Sequence, residues 1–255
     1  MSGEEQDNTW EGLERRKLGA TRVQLDENVE RTSDEIMQRY RENRDWRLYP
    51  KEWIYRNLPV TGEVLDFGCG TGQITTQLAL LGAKRVYAMD VTPGLLEVTR
   101  ERARLDGVAD RVELICDYLQ NVEPRQVDLV IACAVLHHCH PLKDLMPGLL
   151  KWLKPGGIFV CIEPIVYFSQ LESLRVASGV PFEPLDEGER KLDAEDIRYV
   201  CSCLDEPQRI HYRVLGRTDR WLPDRPLRVV DNLLLKVPGV WKLASSVLIH
   251  GKRKS

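Results

Sequence analysis

One aspartate and three closely spaced glycines lie in the segment Glu63-Val-Leu-Asp-Phe-Gly-Cys-Gly-Thr-Gly-Gln73. The apolar residues that lead to Asp66 are typical of a buried strand, and Ile74, Leu78 and Leu81 follow at helical spacing. A strand, a glycine turn and a helix in this order allow the backbone to approach a nucleotide-like ligand closely. Glycine is needed in such a turn because a Cβ atom would block both the turn and the ligand.

The spacing of Gly68, Gly70 and Gly72 narrows the choice of ligand. Dinucleotide sites read G-x-G-x-x-G and direct a helix N-terminus at a pyrophosphate. Asp66 would repel a pyrophosphate here, whereas it would favour a cationic amino group. This predicts a ligand with a nucleoside at one end and an ammonium at the other, and S-adenosylmethionine fits. A nicotinamide-dependent oxidoreductase is disfavoured because its fingerprint spacing is absent.

The composition limits the classes of protein to consider. The chain has 255 residues, 43% hydrophobic and 29% charged, which suits one large domain with a buried core. Its net charge of −3 gives no electrostatic reason to expect a nucleic-acid partner. We expect no membrane span and no secretory signal, because no apolar run reaches roughly 20 residues and the N-terminal part is polar. The seven scattered cysteines are typical of reduced thiols, which predicts a cytoplasmic protein.

Alternating strand and helix patterns from residue 63 onward predict a parallel sheet with helices on both faces. The predicted strands are 63–67, 85–90, 112–116, 128–133 and 158–163, and the predicted helices after the glycine turn include 95–106 and 142–153. Residues 164–208 break the alternation and predict inserted helices and loops. A strand over 209–216, a helix over 227–236 and a last strand over 246–250 follow.

The order of five motifs resembles that of class I S-adenosylmethionine-dependent methyltransferases, in particular the group that acts on quinones, lipids and other small molecules. The motifs are Leu65-Asp-Phe-Gly-Cys-Gly-Thr-Gly72, Val86-Tyr-Ala-Met-Asp90, Cys116-Asp117, Asp128-Leu-Val-Ile-Ala-Cys-Ala-Val-Leu-His-His138 and Leu153-Lys-Pro-Gly-Gly157. The resemblance covers residues 63–163. It implies an α/β, Rossmann-like, doubly wound, mostly parallel seven-stranded sheet with strand order 3-2-1-4-5-7-6.

The flanking segments complete the expected domain organisation. Residues 1–30 are charged and weakly periodic, so we expect them to be disordered or loosely ordered. Residues 31–58 predict an N-terminal helical cap, since an acidic helix start is followed by aromatic residues. Residues 59–255 would form the methyltransferase domain, with a lid insertion at about 164–208.

Ligands of an open parallel sheet bind beyond the carboxyl ends of the strands, where several candidate residues fall. Asp66 would approach the methionyl ammonium, Asp90 would accept both ribose hydroxyls, and Asp117 would accept from the adenine amino group. The predicted cofactor-binding residues are Asp66, Gly68, Gly70, Gly72, Asp90, Val91, Asp117, Tyr118 and Cys133; for Cys133, the place beside the methionine part is implied by the resemblance. The alternatives are that Asp66 caps the glycine turn, Asp90 caps a helix and Asp117 is a solvated acid.

His137, His138, Cys139 and His140 suggest metal ligands by composition alone. Four adjacent ligands have poor geometry, because zinc sites space their ligands by two or more residues, so we predict no metal. Leu-His-His at this position is also common in the family that the chain resembles. His137 or His138 could act as a general base on a substrate hydroxyl, or either could have a structural role only.

Together these features predict an enzyme that moves a methyl group from S-adenosylmethionine to an apolar or aromatic small molecule, at oxygen or carbon. Aromatic residues of the cap and lid would supply the acceptor surface, and these are Tyr40, Tyr49, Trp53, Tyr55, Tyr167, Phe168, Tyr212 and Trp221. One alternative is a cofactor-binding protein without catalysis. Another is a methyltransferase acting on protein or nucleic acid; the latter is disfavoured because no Asn- or Asp-Pro-Pro motif follows strand four.

Overall fold

A computed structural model describes residues 49–58, 60–168, 190–215 and 224–254. Several predictions fall outside these described residues. They are the loosely ordered segment 1–30, most of the helical cap, residues 169–189 of the lid, and the aromatic residues Tyr40 and Trp221.

The described elements alternate between strand and helix along most of the chain. The α-helices are α1 (Tyr49–Asn57), α2 (Gln73–Leu80), α3 (Pro93–Leu105), α4 (Leu142–Trp152), α5 (Ala194–Ser202) and α6 (Asp224–Leu234). The strands are β1 (Glu63–Phe67), β2 (Arg85–Asp90), β3 (Val112–Cys116), β4 (Val127–Cys133), β5 (Leu153–Pro164), β6 (Leu204–Tyr212) and β7 (Ser246–Arg253). Short 3-10 helices cover Ala109–Arg111, Leu119–Asn121, Leu136–His138 and Val240–Leu243.

The strands form one seven-stranded sheet in the order β3-β2-β1-β4-β5-β7-β6. Strands β1 to β5 pair in parallel, and β7 runs antiparallel to both β5 and β6. The predicted fold class and strand order are therefore confirmed. Because β6 is antiparallel to β7, it runs in the same direction as β5, and both end at the edge of the sheet where β1 to β4 end.

Apolar layers cover both faces of the sheet, as the unbroken apolar runs of its central strands predict. The neighbours Val64 and Leu65 enter opposite layers, because successive side chains of a strand point to opposite faces. Trp152 and Phe159 are fully buried in the layer beneath α4 and α5. Ile54 of α1 is fully buried in the other layer, which fixes this helix against the domain.

Four predicted strands have different bounds in the structure, and the difference is one residue at the start of β4, which begins at Val127. β5 begins at Leu153 rather than at 158, because the segment predicted as a helix stop already pairs with β4 at Leu153. β6 covers Leu204–Tyr212 rather than 209–216, so the predicted lid boundary at 208 lies inside this strand. Most of β6 is exposed at the edge of the sheet, and its pairing with β7, not an apolar pattern, makes it a strand. The same pairing extends β7 to Arg253.

Candidate active site

The three predicted cofactor acids lie at or just beyond the carboxyl ends of three neighbouring strands. Asp66 lies in β1, Asp90 ends β2, and Asp117 follows the last residue of β3. These strands are adjacent in the order β3-β2-β1, so the structure brings the three acids to one edge of the sheet. Their roles toward a cofactor remain predictions.

The glycine turn after β1 has the backbone geometry that only glycine adopts readily. Gly68, Gly70 and Gly72 have positive φ angles of 65°, 54° and 73°. A Cβ atom on Gly68 would lie 2.2 Å from a methyl of Val135, and one on Gly72 would lie 2.5 Å from Thr99. A Cβ atom on Gly70 would meet no atom within 4 Å. Close packing therefore requires glycine at positions 68 and 72, whereas open space lies next to Gly70.

Asp90 fixes this turn from the end of the neighbouring strand. One carboxylate oxygen accepts the N–H of Gly70 at 2.9 Å, and the other accepts the N–H of Thr92 at 2.9 Å. Burial raises the pKa of Asp90, and the backbone N–H donors counteract this shift. The bond to Thr92, the N-cap residue of α3, also fixes the chain that leads into this helix. Each carboxylate oxygen of Asp90 keeps a second lone pair, so these two bonds do not exclude a ligand.

Asp66 is a buried acid, with only 1% of its surface exposed. The hydroxyl of Thr75 donates a hydrogen bond of 2.6 Å to its carboxylate. Burial raises the pKa of Asp66 to about 6, and the hydrogen bond from Thr75 partly opposes this shift. The charge of Lys51 on α1 also lowers this pKa, but burial outweighs both effects, so the buried charge is only partly compensated. Since a buried carboxylate is costly without a cation, the site favours a positively charged ligand.

Asp117 and Tyr118 form the outer end of the same edge. One oxygen of Asp117 accepts the N–H of Tyr118 and the side-chain amide of Asn121, both at 2.7 Å. These bonds start the short helix that follows β3. The side chain of Tyr118 is 53% exposed, which is high for an aromatic residue and leaves its ring accessible to a flat ligand.

Helix α1 places two further polar side chains beside the start of α2. The ammonium of Lys51 donates to the amide oxygen of Gln73 at 3.1 Å, and the hydroxyl of Tyr55 donates to that of Gln77. Lys51 also lowers the pKa of Asp66 by its charge. Cys133 ends β4 nearby, and burial raises the pKa of its thiol to about 11, so the thiol is neutral at pH 7. Sequence reasoning missed Lys51, because its contact with α2 is a tertiary one.

The residues after β4 depend on an acid that was not among the predicted site residues. Glu163, at the end of β5, is 1% exposed and accepts the N–H groups of Val135 at 3.0 Å and Leu136 at 2.9 Å. Its second oxygen lies 2.8 Å from Nδ1 of His137, which is also buried. Its position could have indicated it, since Glu163 is an acid next to the last residue of a strand, close to the edge where Asp90 ends β2.

His138 and His140, which follow His137 in the loop between β4 and α4, have different surroundings. The ring of His138 lies on that of His137, with ring centroids 3.9 Å apart. Nε2 of His140 lies 3.2 Å from the carbonyl oxygen of Arg190, which attaches the loop to the segment before α5. No group of three side chains suited to a metal ion occurs in the described ranges.

The strand order is that of the Rossmann-like methyltransferase fold, and the glycine turn lies where the comparisons with known proteins find similarity. Residues 65–161 match the family model described as a methyltransferase domain. The chain is 40% identical over 110 residues to ribosomal protein L11 methyltransferase of Acinetobacter baumannii (strain AYE), a match that covers 42% of this chain and 36% of that protein. The enzyme of the same name from Tolumonas auensis is 36% identical over 130 residues, which covers 50% of this chain and 42% of that protein. The chain thus spans about two fifths of the length of these relatives.

Solved structures share the fold over a larger part of the chain. Geranyl diphosphate C-methyltransferase from Streptomyces coelicolor A3(2), in complex with Mg²⁺, geranyl-S-thiolodiphosphate and S-adenosyl-L-homocysteine, has a TM-score of 0.58 at 17% identity, covering 81% of this chain and 76% of that one. The [4+2]-cyclase SpnF has a TM-score of 0.56 at 19% identity, covering 82% and 80%. At these identities the likeness shows the fold alone.

Proposed function

We propose that this protein transfers a methyl group from S-adenosylmethionine to an apolar or aromatic small molecule. The observation that carries this proposal is the buried Asp66, whose pKa is raised because its surroundings offset its burial only in part, and which lies two positions before the open glycine turn. An acid at this position suits the ammonium of the methionyl group, and the nearby sulfonium adds favourable charge.

The remaining cofactor contacts follow from the same edge of the sheet. Asp90 presents two oxygens that match the vicinal ribose hydroxyls, with Val91 directly after it. Asp117 would accept from the adenine amino group, with the accessible ring of Tyr118 beside it. Gly70 leaves room for the ligand above the turn, and Cys133 would border the methionine part. These residues bind and orient the cofactor, and none needs to form a covalent bond.

When bound, S-adenosylmethionine supplies an electrophilic methyl group on its sulfonium. The protein has to hold the acceptor atom in line with this methyl and exclude water. His137 is the proposed proton acceptor for a hydroxyl substrate, because Glu163 fixes its ring and leaves Nε2 as the nitrogen that can face a ligand. An acidic phenol or enol would need no base, so His137 would then orient the acceptor only.

An aromatic cluster at the end of β6 supports an apolar or aromatic acceptor. The hydroxyl of Tyr167 lies 2.9 Å from Nε2 of His211, and the rings of both pack on Trp241, with ring centroids 5.1 Å and 5.0 Å away. His211 pairs across the sheet with Val247, which pairs with Glu163, so His211 lies on the same row as Glu163, two strands away. A cleft of about 560 Å³ adjoins the cluster, lined in part by Arg209 and Leu235.

A methyl-release assay with a panel of acceptors tests this proposal. The panel would contain phenols, polyprenyl compounds and purified ribosomal protein L11, with binding of S-adenosylhomocysteine measured in parallel by calorimetry. Turnover on a small molecule is the expected result. Turnover on L11 alone would favour a protein acceptor, which the 40% identity to L11 methyltransferase supports. Binding without turnover on any acceptor would favour a cofactor-binding protein that does no methyl transfer.

A further inference from the structure

The outward face of α6 is apolar, which is the reverse of the usual pattern for a surface helix. The helix buries Leu227 and Asp231, one turn apart, against the domain. On the opposite side Val229, Val230 and Leu233 are 58%, 43% and 56% exposed. Their spacing of one, three and four residues places them on one face of the helix.

This apolar face continues into the residues that follow α6. Val237 is 49% exposed and Leu243 is 37% exposed. Nine large hydrophobic residues are exposed in the described part of the chain, and five of them are these two and the three on α6. The five lie within residues 229–243, so they form a patch rather than the scattered exposure that needs no explanation.

Basic residues accompany the patch. Residues 224–243 contain the basic residues Arg225, Arg228, Lys236 and Lys242 and the acidic residues Asp224 and Asp231, a local charge of +2 in a chain whose net charge is −3. Lys236 and Lys242 are exposed beside the apolar residues. The ammonium of Lys242 lies 5.6 Å from the ring centroid of Trp241. Lysines next to exposed apolar side chains are typical of segments that lie in a membrane interface.

Hydrogen bonds attach α6 to the end of β6. The buried carboxylate of Asp231 accepts the N–H groups of Arg213 at 2.8 Å and Val214 at 2.6 Å, which attaches α6 to the end of β6. Residues 213–245 connect the end of β6 to the start of β7, at the edge of the sheet where β1 to β5 end. The patch, which lies within this connection, is therefore joined to the edge of the sheet that carries Asp66 and Asp90.

We propose that the surface formed by Val229, Val230, Leu233, Lys236, Val237, Lys242 and Leu243 binds peripherally to a lipid bilayer that contains anionic headgroups. The apolar side chains would enter the headgroup region, and the two lysines would pair with anionic lipids. Binding of this kind requires no spanning segment, and the helices in the described part of the chain are neither long nor apolar enough to cross a bilayer. A second copy of the chain or another protein would not require the lysines around the patch.

Vesicle co-sedimentation of the full chain tests this inference without any measurement of methyl transfer, so its result is independent of the proposed function. Vesicles of phosphatidylcholine alone would be compared with vesicles that contain about one third phosphatidylglycerol. We expect binding to the anionic vesicles and its loss at high salt. The double variants Leu233→Glu/Val237→Glu and Lys236→Glu/Lys242→Glu should each weaken this binding at least about tenfold.

Two control variants test whether any added glutamate, at a site outside this surface, also weakens vesicle binding. Leu105→Glu changes an exposed leucine on α3, and Lys84→Glu changes an exposed lysine before β2. Both should bind anionic vesicles as the natural chain does, and circular dichroism would verify the fold of all variants. Absence of vesicle binding by the natural chain, or equal loss in the controls, would overturn the inference. The natural chain could instead self-associate and not bind vesicles. If Leu233→Glu/Val237→Glu abolished that self-association, the inference would be overturned in favour of a second copy of the chain.

Discussion

The carboxylate of Glu163 holds both the ring of His137 and the backbone of the turn on which this histidine lies. One oxygen lies 2.8 Å from Nδ1 of His137, and the other accepts the N–H groups of Val135 and Leu136. Three consecutive residues after β4 thus take their positions from one acid at the end of β5. Any role of His137 in proton transfer or acceptor orientation therefore depends on Glu163.

Removal of Glu163 should affect stability and activity to different degrees. Glu163→Ala would leave buried N–H groups without an acceptor, so we expect a loss of about 2–4 kcal/mol in the free energy of unfolding. Glu163→Gln keeps one acceptor oxygen and should cost less, while turnover should still fall because the amide no longer fixes His137 as the carboxylate does. Urea denaturation and steady-state kinetics on both variants would check this. Equal activity of Glu163→Gln and the natural chain would contradict a role of Glu163 in positioning His137.

Replacement of His137 and His138 by asparagine, one at a time, shows whether either acts as a general base or only packs. With saturating cofactor, His137→Asn should lower kcat by about 10²–10⁴ if it removes a positioned base. His138→Asn serves as the comparison, because the ring of His138 packs on that of His137, whereas Nδ1 of His137 lies 2.8 Å from the carboxylate of Glu163. A loss below about tenfold in both variants would remove both histidines from the list of bases.

Gly70 and Gly107 form a matched pair for a test of the cofactor pocket. Both have positive φ angles, 54° and 67°, and a Cβ atom on either would meet no atom within 4 Å. Alanine should therefore cost about 1–2 kcal/mol of stability at each position. Only Gly70→Ala should also weaken binding of S-adenosylhomocysteine, because Gly107 lies after α3, away from the glycine turn. Calorimetric titration of both variants would show this difference, and equal affinities would argue that the ligand does not approach Gly70.

Asp66 should lower stability at neutral pH while it strengthens cofactor binding. Its pKa in the folded chain is about 6, above its usual value of 3.8, so the folded state binds the proton more tightly than the unfolded state. Stability should therefore fall as pH rises from about 4 to 6. Asp66→Asn should be more stable than the natural chain at pH 7 by about 2 kcal/mol, and this advantage should vanish below about pH 4. Urea denaturation across this range would measure it.

An exposed acid provides the control for this pH dependence. Lys154 donates to Asp128 and lowers its pKa, which is the opposite of the shift at Asp66. Asp128→Asn should therefore bring no gain in stability at pH 7. A similar gain in both variants would mean that the effect comes from net charge rather than from burial of Asp66.

The position of the three acids at one edge of the sheet was predictable from the sequence, because each acid lies near or just after the end of a largely apolar strand. The bounds of β1, β2 and β3 agree with the prediction, since these strands are short apolar runs that end at polar residues or glycine. The parallel order then brings Asp66 and Asp90 to one edge. For this part of the molecule, local pattern and topology carry the same information.

Features that depend on tertiary contacts were not predictable. The bond between Glu163 and His137 joins residues that are 26 positions apart, and no local pattern connects them. The exposed start of β6 has no apolar alternation, because an edge strand needs none on its solvent side. Lys51 contacts Gln73 only because α1 packs beside α2.

Calorimetric titration of the purified full chain with S-adenosylhomocysteine at neutral pH is the most direct test of the central claim, which is that acids at the ends of β1, β2 and β3 bind one adenosyl ligand. We predict saturable binding of one molecule per chain, weakened at least about tenfold by Asp66→Asn. No detectable affinity for S-adenosylhomocysteine, or an affinity that Asp66→Asn leaves unchanged, would contradict it.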